Sequence, residues 1–346
     1  MRKANITEVA KLSGVSKTTV SNYLNNKGNK LSDDTKKKIK KVIDELNYVP
    51  GIGARKLSLK NASKTIGVVM ERTAMEDSLG DTIFNFSHIF SYISTLLEKN
   101  NIKYIIIPDQ NLQAEKMIDY IKGLCSSNLL DGIMLVNIQT NDIYINELKN
   151  MQFPFVCFGH TQIPGINNFV ATNHENSITK AVNLLISEGL EDIYCYWTKE
   201  SKVVYDQFNF GYKRAMKENN LPIKDSYFIA KDFDSKEPIK GEFYKIFENQ
   251  SKPYGFIIPA YKLNVLLEVA KKMKKKIRKD FLVILYDYHS TTVKESYYTY
   301  IETPAKQLGI SAINMLLSEM DIDCKSKVTE KTFDANLIVN QSSRFK

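Results

Sequence analysis

The sequence predicts an α/β protein in two parts: a small N-terminal lobe of three helices, then a larger core built on parallel β-sheet. Three observations predict it. Positive charge is gathered at one end, because Met1 to Lys64 holds 15 Lys and Arg against 5 Asp and Glu while the remainder holds 33 against 34. Within that basic end, three short helical stretches follow one another around a glycine turn. From Thr65 onward, short apolar runs alternate with amphipathic helices over about 280 residues, the pattern of a parallel sheet covered on both faces. A chain of 346 residues exceeds one ordinary core, so two or three packing units are expected.

The first helix is expected to open at Asn5, where Glu8 three residues on completes a capping box, and to run through Leu12. Gly14 and Val15 make the turn. Ser16 caps a second helix whose Val20, Tyr23 and Leu24 share a face. Ser32, followed by Asp33 and Asp34, opens a third, with Ile39, Val42, Ile43 and Leu46 at i, i+3, i+4 and i+7. Helix, tight turn, helix and a supporting third helix read as a helix-turn-helix unit. The stretch YVPGIGARKLSLKNASK is basic and poor in large apolar residues. Pro50 stops the preceding helix, and Gly51 and Gly53 each cost about 1 kcal/mol relative to Ala in any helix formed here. It is read as a linker that becomes helical only with outside help.

In the core, TIGVVM, IKYIIIP, LDGIMLV, FPFVCF, DIYCYW, YGFIIP and FLVILYD read as strands buried on both faces. Ala114 to Ser126, Ser177 to Glu188, Gln207 to Asn219 and Leu263 to Lys274 read as helices between them. The length favours two sheets over one. No internal repeat or low-complexity tract is evident.

A basic lobe of this kind points to a polyanion, either nucleic acid or an anionic membrane face. Cys125, Cys157, Cys195 and Cys324 stand apart with no metal or redox spacing and are expected to be buried free thiols, a usage that suits a reducing cytoplasm. MRKANITEVAKLSG lacks an apolar signal segment, so secretion is not expected. On the second helix Lys17, Thr18, Ser21, Asn22 and Asn25 form an outward set able to hydrogen-bond bases or phosphates, while Val20 and Leu24 turn inward. The competing reading is a merely solvated bundle.

ITEVAKLSGVSKTTVSNYLN, LSDDTKKKIKKVIDELNYVP and ARKL closely resemble the N-terminal domain and hinge of the LacI/GalR family of bacterial transcriptional regulators. The agreement covers about 60 residues in order, apart from an extra residue near Lys27 to Lys30. The core matches more loosely but in register: TIGVVM, LLDGIMLV, NHENSITKAVNLLISEGLEDI, FNFGYKRAMKENNLP, VILYDYHS and YIETPAKQLGISAINMLL each resemble a family segment.

The resemblance implies a homodimer on a double-stranded DNA operator, with the second helices in the major groove and the hinges folded in the minor groove. By position, Asn5, Ser16, Thr19, Ser21, Asn25 and Lys30 would serve phosphate contacts. Lys17, Thr18 and Asn22 would face bases. Leu57 would wedge between central base pairs with Ala54 beside it. It also implies a core like that of periplasmic sugar-binding proteins, with a small-molecule, sugar-like effector between two subdomains and three chain crossings. The expected division is residues 1–50 for the DNA-binding domain, 51–64 for the hinge and 65–346 for the core. Subdomain one would take about 65–172 and 290–320, and subdomain two about 173–289 and 321–346.

Departures from the family pattern are informative. Asn22 stands where the family commonly has Arg, and an amide suits adenine N6 and N7 better than guanine. In the cleft, Phe208 replaces the Arg that holds sugar hydroxyls, Tyr261 replaces an Asp, and ERTAMEDSLGD replaces the usual turn after the first strand. Asp287 stands where a ligand-binding Asp would be. Trp197, Phe208 and Tyr261 are expected to form an aromatic platform against a sugar face or another planar ligand, the alternative for Phe208 and Tyr261 being that they fill the cleft or join the core. Glu71 and Arg72 are weaker candidates, with a surface ion pair as the alternative. His160 and His289 follow strands and either line the cleft or lie solvated on loops. KKMKKKIRK, Lys271 to Lys279, reads as a solvated helix end, with a second nucleic-acid patch as the alternative.

No phosphate-binding loop, nucleophile elbow or metal-binding histidine pair is present, so neither cofactor nor metal is expected and the chain is not read as an enzyme. The expectation is a repressor of carbohydrate-utilisation genes. The nearer alternative is a regulator of the same fold controlled by a protein partner or a non-sugar ligand. A solute-binding protein shares the core but not the basic lobe.

Overall fold

A computed structural model describes residues 5–24, 31–46, 63–71, 81–109, 114–127, 129–136, 143–160, 165–198, 202–224, 227–231, 236–249, 252–286, 297–322 and 331–346. The N-terminal lobe contains α1 (Ile6–Ser13), α2 (Lys17–Leu24) and α3 (Asp33–Glu45). The capping box is present: Asn5 Oδ1 accepts from the amides of Thr7 and Glu8 at 2.9 and 3.1 Å, and Glu8 Oε2 accepts from the Asn5 amide at 3.0 Å. Gly14 ends α1 with φ 67°, and the following amide of Val15 returns to Ala10 O at 3.1 Å. Val9, Val20 and Ile39, one from each helix, are fully buried together. Burying Val20 contributes about 1.5–3 kcal/mol, a large share for so small a core.

The core contains two six-stranded sheets. The first comprises β1 (Thr65–Glu71), β2 (Lys103–Asp109), β3 (Gly132–Val136), β4 (Phe155–Phe158), β5 (Phe169–Asn173) and β11 (Thr332–Asp334), in the order β11-β5-β4-β3-β1-β2 and parallel throughout. The second comprises β6 (Ile193–Thr198), β7 (Phe228–Lys231), β8 (Tyr254–Pro259), β9 (Phe281–Tyr286), β10 (Thr299–Glu302) and β12 (Asn336–Ile338), in the order β12-β10-β9-β8-β6-β7. Only β12 is antiparallel there. Read from β2 and from β7, the two orders follow one doubly wound scheme. Each reverses direction beside its first strand, which places a switch-point crevice at the carboxyl ends of β1 and β6.

Helices cover the sheets as the apolar runs require. Residues of α4 (Asp81–Lys99) and α11 (Ala305–Glu319) share one buried cluster with Ile66, Val68 and Met70 of β1. Residues of α5 (Ala114–Ser126) and α6 (Ile143–Asn150) share another with Val69. The alternation along β1 thus feeds two cores. Around the second sheet, α7 (His174–Ser187), α8 (Lys202–Glu218), α9 (Lys236–Asn249) and α10 (Leu263–Lys272) contribute to a single continuous cluster. Cys125, Cys157 and Cys195 are buried and unbridged, and Cys324 lies outside the described residues.

The chain passes between the sheets three times: at Asn173–His174, between Glu302 and Ala305, and between Asp334 and Asn336. The last two passages differ from the expected boundaries near 290 and 320. Thr299–Glu302 pairs with β9 of the second sheet, although it falls in the segment expected in subdomain one. Thr332–Asp334 pairs with β5 of the first, although it falls in the tail expected in subdomain two. Both strands are short and sit near an edge, so hydrogen-bond register, to which hydropathy is blind, decides their sheet.

Gly211 shows why α7 and α8 pack so closely. A Cβ there would lie 2.3 Å from the carbonyl oxygen of Glu175, and Thr179 Oγ1 donates to both Glu175 O and Gly211 O, at 2.8 and 3.1 Å. Gly211→Ala must push two helix backbones apart. It should lower stability by about 2–3 kcal/mol, measured by denaturant unfolding. Gly14→Ala, with open space around the Cβ but a left-handed backbone, should cost only about 1 kcal/mol.

Candidate nucleic-acid interface and inter-unit site

On α2 the side chains divide by burial. Lys17, Thr18 and Asn22 are exposed, Thr19 and Ser21 are partly so, and Val20 is buried. Ser16 precedes the helix; its Oγ accepts from the Thr19 amide at 3.1 Å and pairs with Thr19 Oγ1 at 2.8 Å. The hydroxyl pair caps the start of the helix, with Ser16 exposed and Thr19 partly so. Asn5 spends its carbonyl on the cap, which leaves its amide N–H groups to face outward. Lys17, Thr18 and Asn22 therefore form one outward ridge with the phosphate-type donors beside its N-terminal end. Asn25, Lys30, Ala54 and Leu57 lie outside the described residues.

The second site gathers at the first chain crossing. Asn173 ends β5, and its side chain caps α7 by accepting from the Asn176 amide at 3.1 Å. His174, the first residue of α7, hydrogen-bonds through Nδ1 to the hydroxyl of Tyr286 at the end of β9, and its amide donates to Gln207 Oε1 at 3.3 Å. His160, just past β4, donates from Nε2 to the carbonyl of Thr172 at 2.7 Å. Its ring lies 6.1 Å from that of His174. A histidine from the first unit, one at the crossing and a tyrosine from the second thus stand in sequence. The third crossing is tied to the same helix, since Asp334 accepts from Asn176 Nδ2 and from Lys180 Nζ, the latter at 3.1 Å.

Aromatic rings floor this region. Trp197 stacks on Phe208 with centroids 4.0 Å apart, and Tyr286 meets both edge-on at 4.8 and 4.7 Å. His174 lies 5.4 Å from Phe208. Phe208 is 2% exposed, so the direct ligand contact expected of it gives way to the other reading: it belongs to the core and backs Trp197. The physical reason is that an apolar ring one residue after Gln207 gains more from burial against three aromatic neighbours than from lining water. Trp197 is partly exposed at the crevice end of β6. Tyr261 lies on the short turn Ala260–Lys262 after β8, with Lys262 Nζ 4.5 Å above its ring. Glu71 ends β1 beside the first switch point; Arg72, Asp287 and His289 lie outside the described residues.

His174, Tyr286 and Gln207 were not legible as site residues. The only local signal was that His174 follows a strand directly and Tyr286 precedes Asp287. Among the described residues no cluster of His, Cys, Asp and Glu could hold a metal, and no helix is long and apolar enough to cross a membrane.

Burial holds both histidines toward neutrality. The His160 pKa is lowered by burial, against the pull of the Thr172 carbonyl. That of His174 is pushed down to about 3 by burial and then by the charge His160 would carry. The unfolded chain therefore takes up these protons first as pH falls below the ordinary 6.5, and stability that is full above 6.5 declines toward pH 3. His174→Gln should flatten the decline in thermal midpoint between about pH 7 and pH 5, where most carboxylates stay ionised. Melting curves with identical pH slopes in both proteins would contradict this.

The family model for bacterial regulatory proteins of the lacI family matches residues 5–51. The HTH-type transcriptional repressor PurR of Vibrio vulnificus is 27% identical over 325 residues, 92% of each chain. The sucrose operon repressor of Streptococcus mutans is 28% identical over 332 residues, covering 92% of this chain and 93% of that one. Among solved structures, the lac repressor dimer bound to operator and the anti-inducer ONPF superposes with a TM-score of 0.68 at 17% identity, across 99% of this chain and 100% of that one. In its helix-turn-helix lobe, which carries the family match, and in its two parallel-sheet units, the chain is similar along nearly its whole length to transcriptional regulators of the LacI family.

Proposed function

We propose that the chain is a sequence-specific DNA-binding repressor that acts in the cytoplasm as a homodimer on a palindromic operator, under control of a small molecule held between its two core units. The observation that carries the reading is the outward ridge of Lys17, Thr18 and Asn22 on a helix anchored by buried Val20. Lysines on either side supply phosphate attraction, so α2 is left to present an amide and a hydroxyl to base edges.

The homodimer is supported by the edge of the first sheet. On β2, Tyr104, Ile105 and Ile106 are each 43–46% exposed, and Tyr92 of α4 and Tyr120 of α5 are exposed as well. An edge strand carrying consecutive exposed apolar residues calls for a covering partner. A second copy brings a second α2 into register with the next half-site, about one helical turn away.

Effector control follows from the crossings. A ligand that binds the closed and open arrangements of the two units unequally shifts their equilibrium, and the hinge responds. Trp197 offers a ring face for a sugar or other planar group, and relatives named for a sucrose operon favour a carbohydrate. One observation favours a non-sugar ligand or a protein partner instead: Phe208 is buried at the place of the sugar-holding Arg, so no guanidinium reaches the cleft from that position.

Two measurements test this. Selection from random DNA should return a palindrome, and Asn22→Ala should lose about 1–3 kcal/mol of discrimination at one base pair per half-site; equal loss on all sequences would contradict base readout. Because Trp197 is the sole tryptophan, its fluorescence should change with the correct member of a panel of sugars and sugar phosphates. Silence across that panel with DNA binding intact would move the assignment to the non-sugar reading.

A further inference from the structure

The end of α10 and the loop from it to β9 carry seven cations in the nine residues Lys271 to Lys279, in a chain whose part beyond Lys64 is otherwise short of positive charge. Lysines in the last turn of a helix are explained by its dipole, and Lys271 and Lys272 need nothing more. The following residues do. Lys274 and Arg278 occupy left-handed backbone positions, φ 54° and 67°, where glycine or asparagine is the less strained choice.

The loop is nevertheless ordered by its own hydrogen bonds. The amide of Lys275 reaches Ala270 O at 2.9 Å, that of Arg278 reaches Phe281 O at 2.8 Å, and that of Asp280 reaches Lys276 O at 2.9 Å. Arg278 further donates to Gln341 Oε1 at 3.0 Å and to Arg344 O at 3.2 Å, which lays exposed Arg344 beside the loop. Neutralising partners are few among the described residues. Asp280 accepts from the Lys276 backbone amide at 2.8 Å, and Glu268 is shared by Lys240 and Lys272, both at 3.2 Å. Lys271, Lys274, Lys275, Lys276 and Lys279 have no ion pair among the described residues.

We infer that this loop is a second nucleic-acid surface, one that grips the phosphate backbone of duplex DNA without reading sequence. Two features favour a phosphate backbone over an acidic protein. No large exposed apolar side chain lies between Leu263 and Lys279 among the described residues, whereas protein interfaces are anchored by such groups and depleted in lysine. Phosphate contact needs only cations on an ordered support. The surface lies at the amino end of β9, the end of the second sheet opposite the crevice, so it operates independently of the effector site.

The test uses the full chain and lysine acetylation read by peptide mass spectrometry, with and without a mixed-sequence duplex of about 30 base pairs at low salt. Lys274, Lys276 and Lys279 should react about fivefold more slowly with DNA, whereas exposed Lys149 and Lys217 should not change. Combined Lys271→Ala, Lys274→Ala, Lys276→Ala and Lys279→Ala should reduce the salt slope of duplex binding by about 3 to 4. Protection confined to lysines before Lys64, an unchanged slope, or equal protection by polyglutamate would each overturn the inference. Protection in the first lobe separately reports on the operator-binding role.

Discussion

Everything in the core depends on how the chain passes from one parallel sheet to the other. A parallel strand must be hydrogen-bonded along its length and covered on both faces, so a chain that moves between two such sheets does so only where a strand ends and a helix begins. At Asn173–His174 that junction is short: one residue caps α7 while the next is already its first helical residue. The neighbouring crossing at Asp334 is bonded to the same helix through Asn176 and Lys180. Any change in the angle between the units must therefore be absorbed at a few bonds around the start of α7 and at the passage between Glu302 and Ala305.

That constraint also explains why the polar chemistry sits where it does. His174 is at the crossing because the backbone turns there, and it is kept neutral because Tyr286, Phe208 and His160 leave it little water. Gln207 and Phe208 are adjacent on α8, so a single helical turn supplies both a hydrogen bond to the crossing backbone and a ring beneath Trp197. The contact of α8 with α7 is in turn possible only because Gly211 lets the backbones meet. Packing, helix capping and site geometry are here consequences of the same close approach.

Charge is organised by the same separation of tasks. Cations crowd the N-terminal lobe while α2 itself carries one lysine and a set of hydroxyls and amides. The core is nearly neutral as a whole, and several of its lysines meet a carboxylate, as Lys122 meets Glu147 at 2.7 Å and Lys224 meets Asp192 at 2.9 Å. Against that background the run Lys271 to Lys279 is an exception in density.

The sequence by itself determined what depends on near neighbours. Asn5 with Glu8, Gly14, and Ser32 before Asp33 and Asp34 marked the lobe's helix ends, because capping bonds span at most three or four residues. Continuous apolar runs marked seven of the twelve described strands for the same local reason. Tertiary structure alone decided what depends on distant partners. It sent Thr299–Glu302 to one sheet and Thr332–Asp334 to the other, and it revealed one strand scheme used twice in a chain with no sequence repeat. It joined His174 to Tyr286 across 112 residues and drew Phe208 out of the crevice into the core. Hydropathy and spacing describe one element at a time, whereas register, ring stacking and desolvation arise only when elements meet.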